Sequence, residues 1–220
     1  FGGSGLTSGS PKLLSSVNYY HYYVPREEVE ELLTTLGDFL VRAIITKEAK
    51  IAVILSVRGK DKIEHFVADY KPLENEVGKG MFYFIKSVGR PSLPDLVEYH
   101  MNKKVAVNGF VLKRPVGRRN YEILNNRVKF DGTRILGEGN FAVVTKGTFN
   151  VLATNTVINV ACKRIRVEKC KSQFDKLEAK RQIVREVHIG RILQGHPHIL
   201  SIYGMFVETE ELAVISELCD

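Results

Sequence analysis

Arg42 ends the run Phe39-Leu40-Val41-Arg42. On a strand, alternation sends Phe39 and Val41 to one face and Leu40 and Arg42 to the other, so the guanidinium shares its face with a leucine. Such an arginine is either an edge residue whose head snorkels to water or a buried charge that must meet an anion. The flanking residues place this strand in a small sheet. From Pro25 to Leu36, Val29, Leu32, Leu33 and Leu36 recur at helical spacing among Arg26 and four glutamates, and Gly37 stops that helix. Phe39–Ile45, Ile51–Val57 and Glu64–Tyr70 then read as three β-rich runs of one antiparallel sheet, and a second helix starts near Ser92 with Pro94 in its first turn.

Length and composition allow two such modules. The chain has 220 residues, 44% hydrophobic and 26% charged, which predicts a globular protein with two domains of roughly 100 residues each. A formal charge of +7 favours anionic partners. Nucleic acid is not expected among them, because the basic residues are dispersed and no aromatic platform interleaves with them. Cys162, Cys170 and Cys219 form no CxxC pair, which points to a reducing compartment and a cytoplasmic location. No apolar run approaches the roughly 18 residues that span a bilayer. Peripheral membrane association stays open. Residues 1–17, rich in Gly and Ser at the start, read as a flexible tail, consistent with a piece cut from something longer.

A second constellation follows the basic segment Lys113–Arg119. Leu136-Gly137-Glu138-Gly139-Asn140-Phe141-Ala142-Val143-Val144 is a glycine-bearing turn between two apolar strands, where backbone N–H groups can approach phosphate. An ordinary hairpin has the same pattern. Lys163 ends the strand Val160-Ala161-Cys162-Lys163, and Glu186 lies beside apolar positions of a long helix over Phe174–Leu193. A carboxylate there wants a cation, and a Lys163–Glu186 ion pair meets the need.

The first half resembles an SH2 domain. Tyr19-Tyr20-His21, then Val24, Pro25 and Arg26, then Gly37 to Arg42, Leu55-Ser56-Val57 and His65-Phe66 follow that family's order and spacing. The resemblance implies that Arg42 grips a phosphotyrosine phosphate with Arg26 and His65 on the walls, a planar fork matched to two phosphate oxygens. The family usually has Glu and then Ser or Thr after the arginine. Here Ala43 and Ile44 follow, and Thr46 and Lys47 are candidates to take over that role.

With His196-Pro197-His198-Ile199 and Glu217, the second half resembles the N-terminal lobe of a protein kinase. The resemblance implies adenine packed against Leu136, Val144 and Ala161, and phosphates under the Gly137 to Val144 loop. It also implies Lys163 on the α- and β-phosphates, Ser216 as gatekeeper, and hinge backbone near Glu217 and Cys219. Ala142 replaces the usual third glycine.

The resulting expectation is an α+β chain: a tail at 1–17, an SH2 fold (central antiparallel sheet, two helices) at 18–115, a linker at 116–127, and a five-stranded antiparallel kinase lobe with one helix at 128–220. The order of modules is most similar to the Fes/Fer group of non-receptor tyrosine kinases. That resemblance implies phosphotyrosine proteins as partners, ATP as substrate, and Mg2+ held by residues outside this sequence. No H-R-D or D-F-G occurs between Leu200 and Asp220, so the chain alone is expected to be inactive. The alternative is a phosphotyrosine-binding adaptor or pseudokinase.

Overall fold

The computed structural model describes residues 13–48, 50–74, 76, 78–119, 121–140, 142–207 and 211–219. Contacts divide the chain into two units. The first is built mainly from Val29–Arg42 and Val53–Gly117, and the second from Arg118–Asp220 together with His21–Glu28 and Ala43–Ala52.

The stretch expected as a helix from Pro25 to Leu36 forms α1 only over Arg26–Leu32, with Val29 buried on it, Leu33 buried just past its end and Leu36, outside the helix, exposed. Gly37, at φ +87°, does not end this helix, which stops at Leu32, but forms the turn immediately before β1 (Asp38–Ile45). A Cβ there would also meet the Lys113 side chain at 2.5 Å, so both conformation and space require glycine. Next come β2 (Ile51–Arg58), β3 (Ile63–Val67), β4 (Asp69–Pro72), β5 (Gly80–Ile85), β6 (Val88–Arg90), α2 (Leu93–Asn102) and β7 (Arg114–Pro115). One sheet has the order β3-β2-β1-β7, and a separate one the order β4-β5-β6. The run expected as one strand over Glu64–Tyr70 is thus two strands in two sheets. The break falls at Ala68, whose N–H bonds back to the Val53 carbonyl.

Phe39 and Val41 pack with Leu55, Val57 and Phe66 against Leu96 and Val97 of α2. The α2 stripe Leu93, Leu96, Val97 and His100 is buried as its spacing predicts, and the Ser92 hydroxyl caps the helix by accepting from the Asp95 N–H. Leu14 and Val17 pack on the same core. In the basic segment, Arg114 Nε and Nη2 donate to Asp38 at 2.7 and 2.6 Å, and β7 pairs in parallel with β1.

The second unit contains β8 (Glu122–Ile123), β9 (Val128–Glu138), β10 (Ala142–Val151), β11 (Thr156–Ile165), α3 (Gln173–Ile192), β12 (Ile202–Val207) and β13 (Leu212–Glu217). The sheet order is β8-β12-β13-β11-β10-β9. The expected five antiparallel strands are joined by the short β8, parallel to β12. Phe149, Val160, Cys162, Phe206, Ala213 and Ile215 form the core on one face. Helix α3 starts in a capping box between Ser172 and Asp175 and packs on β11, β12 and β13. Within this unit His21 Nδ1 lies 3.1 Å from Glu122, and Glu28 takes hydrogen bonds from the Tyr121 hydroxyl and His188. Among the described residues no helix is long and apolar enough to cross a membrane.

Candidate phosphate and nucleotide sites

Arg42 resolves its own ambiguity. It is 6% exposed on β1, so it is a buried charge and not an edge residue whose head reaches water. Since Phe39, Val41, Leu55, Val57 and Phe66 all face the core, alternation puts Arg42, Ser56 and His65 together on the opposite face of the sheet. Ser56, fully buried, stands opposite His65, and its hydroxyl shares a hydrogen bond of 2.9 Å with His65 Nδ1. This bond fixes the orientation of the imidazole. Nothing about Ser56 in the sequence signalled that role, because serine on a strand carries no charge that demands a partner.

The remaining members of the phosphotyrosine set are placed differently. Arg26 is exposed at the first position of α1, and it falls with Thr46 and Lys47 in segments that belong to the second unit. Thr46 is committed to the β1–β2 hairpin: its N–H bonds to the Lys50 carbonyl at 2.8 Å, and its hydroxyl accepts from the Lys50 N–H and holds the Glu48 carboxyl below its ordinary range. Lys47 is exposed in the same hairpin.

In the second unit the nucleotide candidates follow from strand register. Gly137 stands opposite Val144, Val144 opposite Lys163, and Lys163 opposite Val214. Directly opposed residues share a face, so Val144, Lys163, Ala161 and Ser216 lie on one side of the sheet, the side away from the Cys162 core. Leu136 is the extra residue of a bulge in β9 and is half exposed. The hairpin tip is closed by Gly139 N–H to the Ala142 carbonyl at 2.8 Å, with Glu138 and Asn140 exposed and Val143 half-buried. Phe141 lies outside the described residues.

Lys163 Nζ is 2.9 and 2.7 Å from the two Glu186 oxygens. Ile183 and Val187 are buried and hold α3 so that Glu186 meets the strand. Arg166, which the sequence did not single out, bonds Glu138 at the base of the glycine turn and Glu168 at 2.8 Å. It ties β9 to the segment after β11. Ser216 is buried, and its hydroxyl donates to the Glu217 carbonyl at 3.3 Å. The Glu217 side chain does not project into the site: Oε1 accepts from the Ser201 N–H at 2.8 Å. Cys219 is exposed beyond β13, whereas Cys162 is buried and its thiol is pushed up to about 11 by desolvation.

A buried arginine and a half-buried histidine share one face of a small sheet in the first unit, and a lysine–glutamate pair stands in register with a glycine turn in the second. The SH2 domain family matches residues 19–100 and the protein kinase domain family residues 130–220. Fer-related kinase 1 of Caenorhabditis elegans is 29% identical over 210 residues, covering 94% of this chain and 50% of that protein. Tyrosine-protein kinase Fer of Homo sapiens is 29% identical over 218 residues, covering 98% of this chain and 24% of that protein. The tyrosine-protein kinase transforming protein Fps of Fujinami sarcoma virus is 29% identical over 213 residues, covering 94% of this chain and 21% of that protein. The chain carries an SH2 domain and the N-terminal part of a protein kinase domain, arranged as in Fer/Fps-like tyrosine kinases. It spans at most half the length of these relatives.

Proposed function

We propose that this chain is the phosphotyrosine-reading and ATP-gripping part of a non-receptor protein-tyrosine kinase, with the SH2 domain at 18–115 and the kinase lobe at 128–220. The observation that carries the reading is the Lys163–Glu186 pair in register with Gly137 and Val144. In this role Glu186 aims the ammonium at the α- and β-phosphates, while the Gly137–Val144 hairpin supplies backbone N–H groups above them. Adenine would lie on Leu136, Val144 and Ala161, bounded by Ser216 and meeting the backbone near Glu217 and Cys219. Mg2+ would neutralise charge on the β- and γ-phosphates, and its ligands and the catalytic base are assigned to no residue of this chain.

In the first domain Arg42 would take two phosphate oxygens of phosphotyrosine, on the same sheet face as a His65 oriented by Ser56. The bound anion would carry roughly −1.5 to −2 charge at neutral pH, matched to a buried guanidinium. The partners are then phosphotyrosine proteins, and the compartment cytoplasmic.

Two titrations of the chain test the proposal. A fluorescent ATP analogue should bind the wild type and lose affinity at least about tenfold in Lys163→Met, which corresponds to ~1.4 kcal/mol. A phosphotyrosine peptide should bind tightly enough to be displaced by phenyl phosphate. Nucleotide affinity equal in the two proteins would overturn the nucleotide assignment, and a peptide bound equally well with or without its phosphate would overturn the other.

A further inference from the structure

The chain has nine tyrosines, and the fold sets one of them apart. Tyr19, Tyr22 and Tyr121 are buried, the last with its hydroxyl donated to Glu28. Tyr20, Tyr23, Tyr83, Tyr99 and Tyr203 are half-buried. Tyr20 packs on the core of the first unit, and Tyr203 stacks on Phe149. Arg90 lies 3.7 Å from the Tyr99 ring centroid and Lys71 5.5 Å from that of Tyr83, so cations cover both rings. Tyr70 alone is exposed, at 49%.

Tyr70 stands on β4, whose four residues are all exposed and which is the outer strand of the β4-β5-β6 sheet. Strand β5 pairs with one edge of β4, and among the described residues no strand pairs with the other. The ring rests on Phe82, its cross-strand partner, with 4.9 Å between centroids. Its hydroxyl end reaches diagonally over Gly80, where a Cβ would collide with the Tyr70 ring carbon and oxygen, so glycine leaves the space that the phenol occupies. Among the described residues the Tyr70 hydroxyl has no hydrogen-bond partner.

We propose that Tyr70 is a phosphorylation site, the position at which a protein-tyrosine kinase places phosphate on this chain. The enzyme class follows the tyrosine-kinase reading; the acceptor is chosen by exposure and strand position alone. The Tyr70 oxygen attacks the γ-phosphorus of ATP, and an O–P bond forms as the bond to the β-phosphate oxygen breaks. ADP leaves and the phenol proton passes to the base of the kinase. A four-residue outer strand with its side chains in water opens at little cost, so the hydroxyl can enter a kinase cleft while the core stays folded. The charges of Asp69 and Lys71 on β4 cancel, and the phosphate adds roughly −1.5 to −2 at neutral pH, which makes this outer strand anionic.

The test incubates the whole chain with Mg2+, ATP and an active protein-tyrosine kinase domain of broad sequence tolerance, and maps the phosphate by peptide mass spectrometry. Phosphate should appear first on the peptide that contains Tyr70, and the product should elute earlier from a cation-exchange column. Tyr70→Phe keeps a ring on Phe82 and should remove most of the early incorporation without moving the melting temperature. Phosphate appearing first on another tyrosine, none at Tyr70, or incorporation unchanged in Tyr70→Phe overturns the proposal. The ATP-analogue and phosphotyrosine-peptide titrations use no added kinase, so a failure of those readings and a failure of this one are told apart.

Discussion

Lys163 Nζ lies within 2.9 Å of both Glu186 oxygens, a contact between β11 and α3 made across 23 residues of sequence. The two side chains are 38% and 41% exposed. A pair so open to water adds only about 0–1 kcal/mol to stability, so its value lies in positioning the ammonium. Glu186→Gln should therefore leave the denaturation midpoint almost unchanged while weakening binding of an ATP analogue. Calorimetric titration beside a urea melt separates the two effects.

Arg42→Ala should cost about 2–5 kcal/mol of phosphotyrosine-peptide affinity, the range for truncating one partner of a desolvated charge pair. Ser56→Ala should cost less, because it only frees the His65 ring. Peptide affinity unchanged in the arginine variant would remove the pocket from Arg42.

Asp38 links the start of β1 to β7 through Arg114, and its carboxylate also accepts from the Thr35 N–H at 2.8 Å. The Arg114 hydrogen bond holds its pKa below the ordinary 3.8. A depressed carboxylate contributes stability above its unfolded value, and that contribution is lost as pH falls through the folded one. Asp38→Ala should destabilise the first unit by about 1.5–3 kcal/mol at neutral pH, and the gap from wild type should shrink below pH ~3.8. Urea melts at both pH values check this.

His100 gives a different pH window. Fully buried, with Nδ1 donating to the Val105 carbonyl at 2.8 Å, it is driven below its ordinary 6.5 by desolvation, with the nearby Arg90 charge acting in the same direction. The folded state then binds this proton less readily than the unfolded chain, so stability is present above pH ~6.5 and falls as the solution is acidified below it. The melting temperature should drop between about pH 7 and 5.5, less steeply in His100→Asn.

Cysteine reactivity should divide by burial. Cys219 is exposed, while Cys162 is fully buried with its thiol pushed up to about 11. Alkylation by iodoacetamide near neutral pH, read by peptide mass, should label Cys219 and spare Cys162 until the protein is denatured. Equal labelling of both would contradict the Cys162 packing.

Local pattern was enough for much of this protein. The leucine and valine spacing of α1 and α2, the alternation around Arg42 and the glycine turn before Val144 each depend on residues within a few positions of one another, where period and turn chemistry act directly. The β4-β5-β6 sheet was not legible, because the run Met81-Phe82-Tyr83-Phe84 alternates too little to declare a face. Nor could the sequence show that Arg114 and Pro115 of the basic segment form a strand, since parallel pairing with Asp38 and Phe39 spans 76 residues.

The sequence by itself determined which residues could carry chemistry: a strand arginine, a strand-end lysine, and a helix glutamate flanked by apolar positions. Only the tertiary structure decided their circumstances. It buried Arg42 on an inner strand, gave His65 its serine, turned the Glu217 carboxylate onto Ser201, and gathered four dispersed arginines around Tyr121 and Phe149. The physical reason is that local pattern fixes a side chain's direction from its own backbone, whereas its partners and its share of water depend on which distant segments pack beside it.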